Sequence, residues 1–249
     1  MEASLINHSD NAASILIVGY NIPLMNALRR SILNNVHTLA IEDVTMYKNS
    51  STMYDEVLAS RLGLLPLRSI QYGGKGKKEF KFKLEQVGPK TVYAYDLVPE
   101  DPDIKPVYGD TILLTLKEGE KIELEAKATF GTGAEHAKFA PAHVFYHAYP
   151  SIETTKSEIK GASKIASLCP VNILDGENNK LSVKKGHLQE CILCMACQDY
   201  AGEDVIKISA DKNKLVFEIE SWGQLTVKDI FEEAFDNLEE EIKETSKVV

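Results

Sequence analysis

The chain is short of several things, and each shortage removes a class of protein. It has one tryptophan and four cysteines in 249 residues. Four cysteines in a chain this long cannot build a disulfide scaffold. No apolar run approaches the ~20 residues that cross a bilayer; Ser14 to Val18 and Thr111 to Leu116 are among the longest. Met1 to Asp10 carries no basic stretch followed by an apolar core, so no secretory signal is expected and the cytosol is the expected compartment. Positive charge is scarce: 28 Lys and Arg face 37 Asp and Glu, a net charge of −9. Such a surface does not grip phosphate backbones over most of its area. Neither G-x-G-x-x-G nor a P-loop occurs, and no Asp-rich loop reads as a polymerase-type magnesium site. A nucleotide-dependent redox enzyme and a free-standing catalytic chain are therefore disfavoured.

What remains is a chain with 44% hydrophobic and 26% charged residues, the composition of a folded globular protein long enough for more than one domain. Its elements predict an α+β fold. Ser14 to Gly19 reads as a strand. Asn21 and Pro23 then open a helix whose small and apolar positions Leu24, Ala27, Leu28, Ser31, Ile32 and Asn35 share one face. Leu39 to Tyr47 returns to strand periodicity, and Tyr54 to Leu64 reads as a second helix stopped by Pro66. The middle is β-rich: Phe80 to Leu84, Val92 to Leu97, and a hairpin of Thr111 to Leu116 with Ile122 to Ala126 around Glu118 and Gly119. Gly131 to Pro150 reads as loop. Lys207 to Ser209 and Leu215 to Glu220 read as two strands. Thr226 and Asp229 form a capping box for a last helix striped by Val227, Ile230, Phe231, Ala234, Leu238 and Ile242.

The chemistry is concentrated in the cysteines. Cys191, Cys194 and Cys197 make two successive C-x-x-C steps, and Cys169 is followed directly by Pro170. Three thiolates at steps of three suit three corners of an iron–sulfur cube, and the Cys-Pro cysteine supplies the fourth, as in half of the exchange seen in two-cluster ferredoxins. A second cluster would need cysteines where Ile159, Ala162, Ile165 and Ala201 stand. One [4Fe–4S] cluster is the expectation, with [3Fe–4S] if one iron is lost; a zinc ion held by the four cysteines, or four free thiols, are the blander alternatives. A ferredoxin-like electron-transfer protein is the competing function. His136, His143 and His147 are irregularly spaced and read as loop histidines, and Lys75, Lys77, Lys78, Lys81 and Lys83 as a solvated face rather than a nucleic-acid contact.

Three segments then resemble a known family. Asn26 to Val36 (NALRRSILNNV) with Ala40 to Val44, Tyr54 to Leu67 (YDEVLASRLGLLPL), and Gly131 to Pro141 (GTGAEHAKFAP) look like successive motifs of the α-like subunits of cellular RNA polymerase. An inserted cysteine segment is similar to archaeal, D-type members. Ser60 and Phe139 depart from the family's usual His and Trp. The resemblance implies a dimerisation domain from both chain ends (residues 1–49 and 205–249), an inserted β-rich domain (50–160) and a ferredoxin-like domain (161–204). It implies no catalytic residue in this chain. It implies pairing with the small subunit L through Leu24, Ala27, Leu28, Ile32, Phe231, Ala234 and Leu238, and Arg29 and Arg30 facing the large subunits.

Overall fold

The computed structural model describes residues 1–69 and 79–247. Lys75, Lys77 and Lys78 lie outside the described residues. In chain order the elements are β1 (Glu2–His8), β2 (Ala12–Val18), α1 (Ile22–Asn35), β3 (His37–Asn49), α2 (Asp55–Gly63), β4 (Phe80–Val87), β5 (Lys90–Tyr93), β6 (Val98–Pro99), β7 (Ile112–Leu116) and β8 (Lys121–Thr132). They continue with β9 (Ala142–Thr154), α3 (Ala162–Ser167), β10 (Leu174–Glu177), β11 (Lys180–Val183), α4 (Ala196–Ala201), β12 (Ile206–Ser221) and α5 (Val227–Ser246). The fold is α+β, and among the described residues no helix is long and apolar enough to cross a membrane.

Two compact units emerge. Unit 1 comprises Met1–Ile6, Ser14–Asn21 and Tyr146–Phe217; unit 2 comprises Asn7–Ala13, Ile22–Phe145 and Glu218–Val249. Compactness therefore divides the chain differently from the expected cuts near residues 49, 160 and 204. The reason is β-pairing: β3, from the expected dimerisation segment, pairs antiparallel with β8 from His37 opposite Thr132 to Asn49 opposite Ile122. A ladder of that length fuses the two segments into one body.

In unit 2 the sheet order is β3-β8-β4-β6, with a separate β5-β7 pair. Strand β8 has alternate residues buried along most of its length and is paired on both sides, by β3 and by β4, so its period-two pattern feeds one core. That core gathers Leu39 and Ile41 from β3, Leu58 and Leu62 from α2, Phe82 and Leu84 from β4, and Leu113 and Leu116 from β7. The expected hairpin of β7 and β8 does not form. Gly119 supplies the turn with φ +78, but β7 pairs with β5 while both edges of β8 are already taken.

In unit 1 the sheet order is β1-β2-β12-β9, beside a two-stranded β10-β11 hairpin. Two expectations change here. Gly131 to Pro150 is not all loop, because β9 occupies Ala142 onward; its aromatics and histidines alternate with Val144 and Ala148, a strand pattern masked by polar composition. Lys207 to Glu220 is one strand, not two: β12 runs unbroken through Asp211 to Lys214.

Candidate functional site

Two places carry the residues singled out by sequence. The first is the helix pair of unit 2. Helix α5 starts as its sequence dictates: Thr226 Oγ1 accepts from the Asp229 backbone N–H at 3.2 Å and donates to the Asp229 carboxylate at 2.7 Å. Helix α1 then lies against α5, and polar side chains fix the register. Ser31 Oγ donates to the Ala234 carbonyl at 2.9 Å in a buried contact. Asn237 Nδ2 donates to the Asn35 carbonyl at 3.0 Å, and Asn35 Nδ2 donates to Glu241 at 2.7 Å. Glu233 accepts from the His37 backbone N–H at 2.8 Å and sits 2.8 Å from its Nδ1. Thus α5 side chains satisfy backbone groups that the C-terminal end of α1 leaves open.

Met25, Leu28, Ser31 and Ile32 of α1 and Val227, Ile230 and Ala234 of α5 are buried in the chain itself. Each large aliphatic among them contributes about 1.5–3 kcal/mol by leaving water. Of the seven residues expected to meet a partner, Leu28, Ile32 and Ala234 are therefore enclosed by this chain, which gives the stripes a partner inside the molecule that sequence did not show. Ala27, Phe231 and Leu238 are half-buried and Leu24 is exposed. Beside the buried face of α5 runs a second stripe at helical spacing, Phe231, Phe235, Leu238 and Ile242, whose first two rings stack with centroids 6.1 Å apart. Phe235 is 54% exposed, Ile242 66%, and Ile22 at the start of α1 56%. Phe235 and Ile22 were missed; the signal for Phe235 was its place at i+4 from Phe231.

Arg29 bonds Asn26 Oδ1 on its own helix through Nε at 3.2 Å and Nη2 at 2.9 Å, while Arg30 is exposed. The third motif turns inward: the Ala134 N–H donates to the Asn34 carbonyl at 3.1 Å, Thr38 Oγ1 donates to the Phe139 carbonyl at 2.7 Å, and Lys138 bonds the Ile41 carbonyl at 3.0 Å and pairs with Glu42. A Cβ on Gly133 would stand 1.8 Å from the Leu33 carbonyl oxygen, so only glycine lets this loop close on α1. His136 caps the short 3-10 turn beside it, and His143 packs on Phe145 at 5.3 Å between ring centroids.

The second place is the cysteine loop of unit 1. Cys191 and Cys197 are buried in a cluster with Ile159, Ile165, Ile173 and Leu181, Cys169 packs against it, and Cys194 is exposed. Leu193 and Met195, on either side of Cys194, hold left-handed backbone at φ +53 and +61, a conformation that costs about 1–2 kcal/mol per non-glycine residue. Burial pushes the Cys191 and Cys197 thiols above their ordinary range. The charges of Cys169 and Cys194 push the same way, while backbone N–H groups at Leu193 for the one, and at Cys197 and Gln198 for the other, oppose it. The two buried thiols, Cys191 and Cys197, thus carry backbone N–H donors aimed at sulfur. Among the described residues, no group of three or more His, Cys, Asp or Glu side chains is arranged to hold a metal ion. The donor set itself, four soft sulfurs in an apolar shell, has the chemistry that iron–sulfur clusters and zinc take.

The RNA polymerase Rpb3/Rpb11 dimerisation domain matches residues 14–242, a span that holds α1, the cysteine loop and most of α5. The chain belongs to that family. Among similar proteins, one from Methanosphaera stadtmanae is 36% identical over 96% of this chain and 95% of its own length, and one from Methanobrevibacter smithii 34% over 96% and 95%. One from Archaeoglobus fulgidus is 30% identical over 100% of this chain and 97% of its own length. Each of the three is named DNA-directed RNA polymerase subunit Rpo3. Helix α1 and most of α5 lie within the matched span of a domain named for dimerisation.

Proposed function

We propose that this chain is the non-catalytic assembly subunit of an archaeal DNA-dependent RNA polymerase, working in the cytoplasm. Through the outer face of α1 and α5 it pairs with a smaller chain, subunit L, and the pair is the platform on which the large catalytic subunits assemble. The observation that carries this reading is the apolar stripe on α5 beside a face already closed against α1: Phe235 and Ile242 stay largely exposed on a helix whose own core contacts are complete. Exposed aromatics and aliphatics in a row mark an interface rather than a solvated surface. Arg29 and Arg30 are assigned to the large subunits.

We further propose that Cys169, Cys191, Cys194 and Cys197 hold one [4Fe–4S] cluster, or [3Fe–4S] after loss of an iron, with zinc as the alternative. When bound, the cluster cross-links segments 28 residues apart in sequence, from Cys169 to Cys197, and adds a one-electron redox centre. The chain's own contribution is the left-handed turn around Cys194, the N–H donors to sulfur and the apolar wall of Ile159, Ile165 and Leu181. Cluster ligands have no preformed site in an unfolded chain, so insertion stabilises unit 1 directly.

The test is anaerobic purification of the full chain with and without L, measuring iron, sulfide, zinc and oligomeric mass. A one-to-one heterodimer with about four irons per chain is expected. Zinc in place of iron keeps the platform and removes the redox centre; an iron-loaded monomer indifferent to L favours the ferredoxin-like alternative. Cys194→Ser is expected to weaken unit 1 and impair recruitment of the large subunits while pairing with L survives.

A further inference from the structure

The residue that follows Cys197 has each of its polar groups engaged. Gln198 lies in α4, a helix of six residues, and a helix that short is marginal without tertiary support. Its carbonyl accepts from the Gly202 N–H at 2.7 Å, which closes the end of α4. Its backbone N–H bonds the Cys197 sulfur, beside the N–H of Cys197 itself. Its side-chain Oε1 accepts from the Ile208 N–H of β12 at 2.7 Å, and its Nε2 donates to the Glu203 carboxylate at 3.3 Å. A strand N–H on one side and a carboxylate on the other decide which end of the amide is oxygen.

Ile208 is buried in the same apolar cluster as Cys191 and Cys197. A buried strand N–H left without an acceptor is costly, so the bond from Ile208 holds α4 against β12. The other cysteines inside the cluster are set by local turns: the Cys169 N–H donates to the Ala166 carbonyl and the Cys191 N–H to the Leu188 carbonyl, both at 3.1 Å. Cys197 differs, because the helix that carries it is tied to a strand by its neighbour's side chain. Groups standing behind a metal ligand orient it, and losing one typically costs 10–100-fold in metal affinity.

We infer that Gln198 is a positioning residue of the cysteine site: by accepting the Ile208 N–H it pins α4 to β12, and so fixes the direction of the Cys197 sulfur and of the N–H groups that bond it. The metal it serves rests on the reading of the four cysteines given above; the orientation of the thiol does not. N–H bonds to sulfur favour the more negative, reduced form of a cluster. Removing the anchor therefore makes a bound cluster harder to reduce and quicker to lose iron.

The experiment uses the full chain, purified anaerobically as wild type, Gln198→Met and Gln198→Glu. Methionine keeps the length of the side chain and removes the acceptor; glutamate keeps the acceptor and removes the amide donor. Metal release to a chelator, the midpoint potential and the electron paramagnetic resonance spectrum of the reduced cluster are measured. Leu174→Ala, which loosens the same apolar cluster from β10, controls for stability. Gln198→Met is expected to release metal at least about tenfold faster, with a lower potential and an altered spectrum. Gln198→Glu is expected to release metal at the wild-type rate, and Leu174→Ala to lower the melting temperature with the potential and spectrum unchanged. The inference is overturned if Gln198→Met stays within about twofold of wild type, or if Gln198→Glu releases metal as fast as Gln198→Met. It is also overturned if Leu174→Ala moves the potential and spectrum as far, since Gln198 would then serve only the fold. Wild-type chain that holds zinc defeats the cluster reading alone, and zinc release scores the variants instead. Wild-type chain that holds neither metal defeats the metal reading, and the inference is then scored by alkylation of the Cys197 thiol, expected at least about tenfold faster in Gln198→Met and unchanged in Gln198→Glu; equal rates in all three overturn it.

Discussion

Unit 2 and the cysteine-bearing part of unit 1 are held together by different means. Of the twelve largest fully buried side chains among the described residues, all but Phe217 lie in unit 2, and none lies in the cluster between Ile159 and Ile208. Unit 2 stacks Phe82, Leu84, Leu113 and Leu116 behind a long β3–β8 ladder. The cysteine segment offers two six-residue helices, two four-residue strands and a core partly made of thiols. Helices that short are marginal without tertiary support, and small cores commonly need a staple. The contrast teaches that unit 2 has a large apolar core of its own, whereas the cysteine segment has a small one, which under the proposed function a cluster on its sulfurs would staple.

Substitutions break or sharpen that contrast in a graded order. Phe82→Ala is expected to cost about 3–5 kcal/mol in urea unfolding, because it empties the centre of unit 2, whatever the state of the cysteines. Cys191→Ser comes next. It should raise hydrogen exchange between Ile159 and Ile208 by about 2 kcal/mol of local opening and leave the β3–β8 amides protected. Equal loosening of both ladders would erase the distinction between the units. Gly133→Ala is expected to cost about 1–3 kcal/mol, since the new methyl meets the Leu33 carbonyl at 1.8 Å, and to weaken pairing with L by displacing α1. Thr226→Ala removes the cap of α5 and should lower stability by about 1 kcal/mol, read as a shift in melting temperature.

The smallest effect is electrostatic. Lys156 beside Asp204 holds that carboxyl below its ordinary value of 3.8. A folded-state value lower than the unfolded one stabilises the fold above 3.8, and the contribution fades as pH falls through the folded value. The pair is exposed, so the change is slight: Asp204→Asn should flatten the acid limb of unit 1 exchange and leave neutral pH unaffected.

Much of this was legible in the chain. The stops and caps of α1, α2 and α5 and the alternation of β4 are written locally, in Pro23, Pro66, Thr226 and the Phe–Lys repeat, because helix ends and strand faces depend on neighbours within four residues. The cysteine spacing was equally local. The motifs by which family membership was expected could be read in the same way, since motif order survives without any three-dimensional information. Tertiary structure decided the rest. Whether β8 pairs with β7 or with β3 and β4 depends on which edges are free, and no turn signal encodes that. Whether Leu28 and Ile32 face a partner or α5 depends on a helix almost two hundred residues further along the chain. A periodic stripe records that a face is apolar; only packing records what covers it.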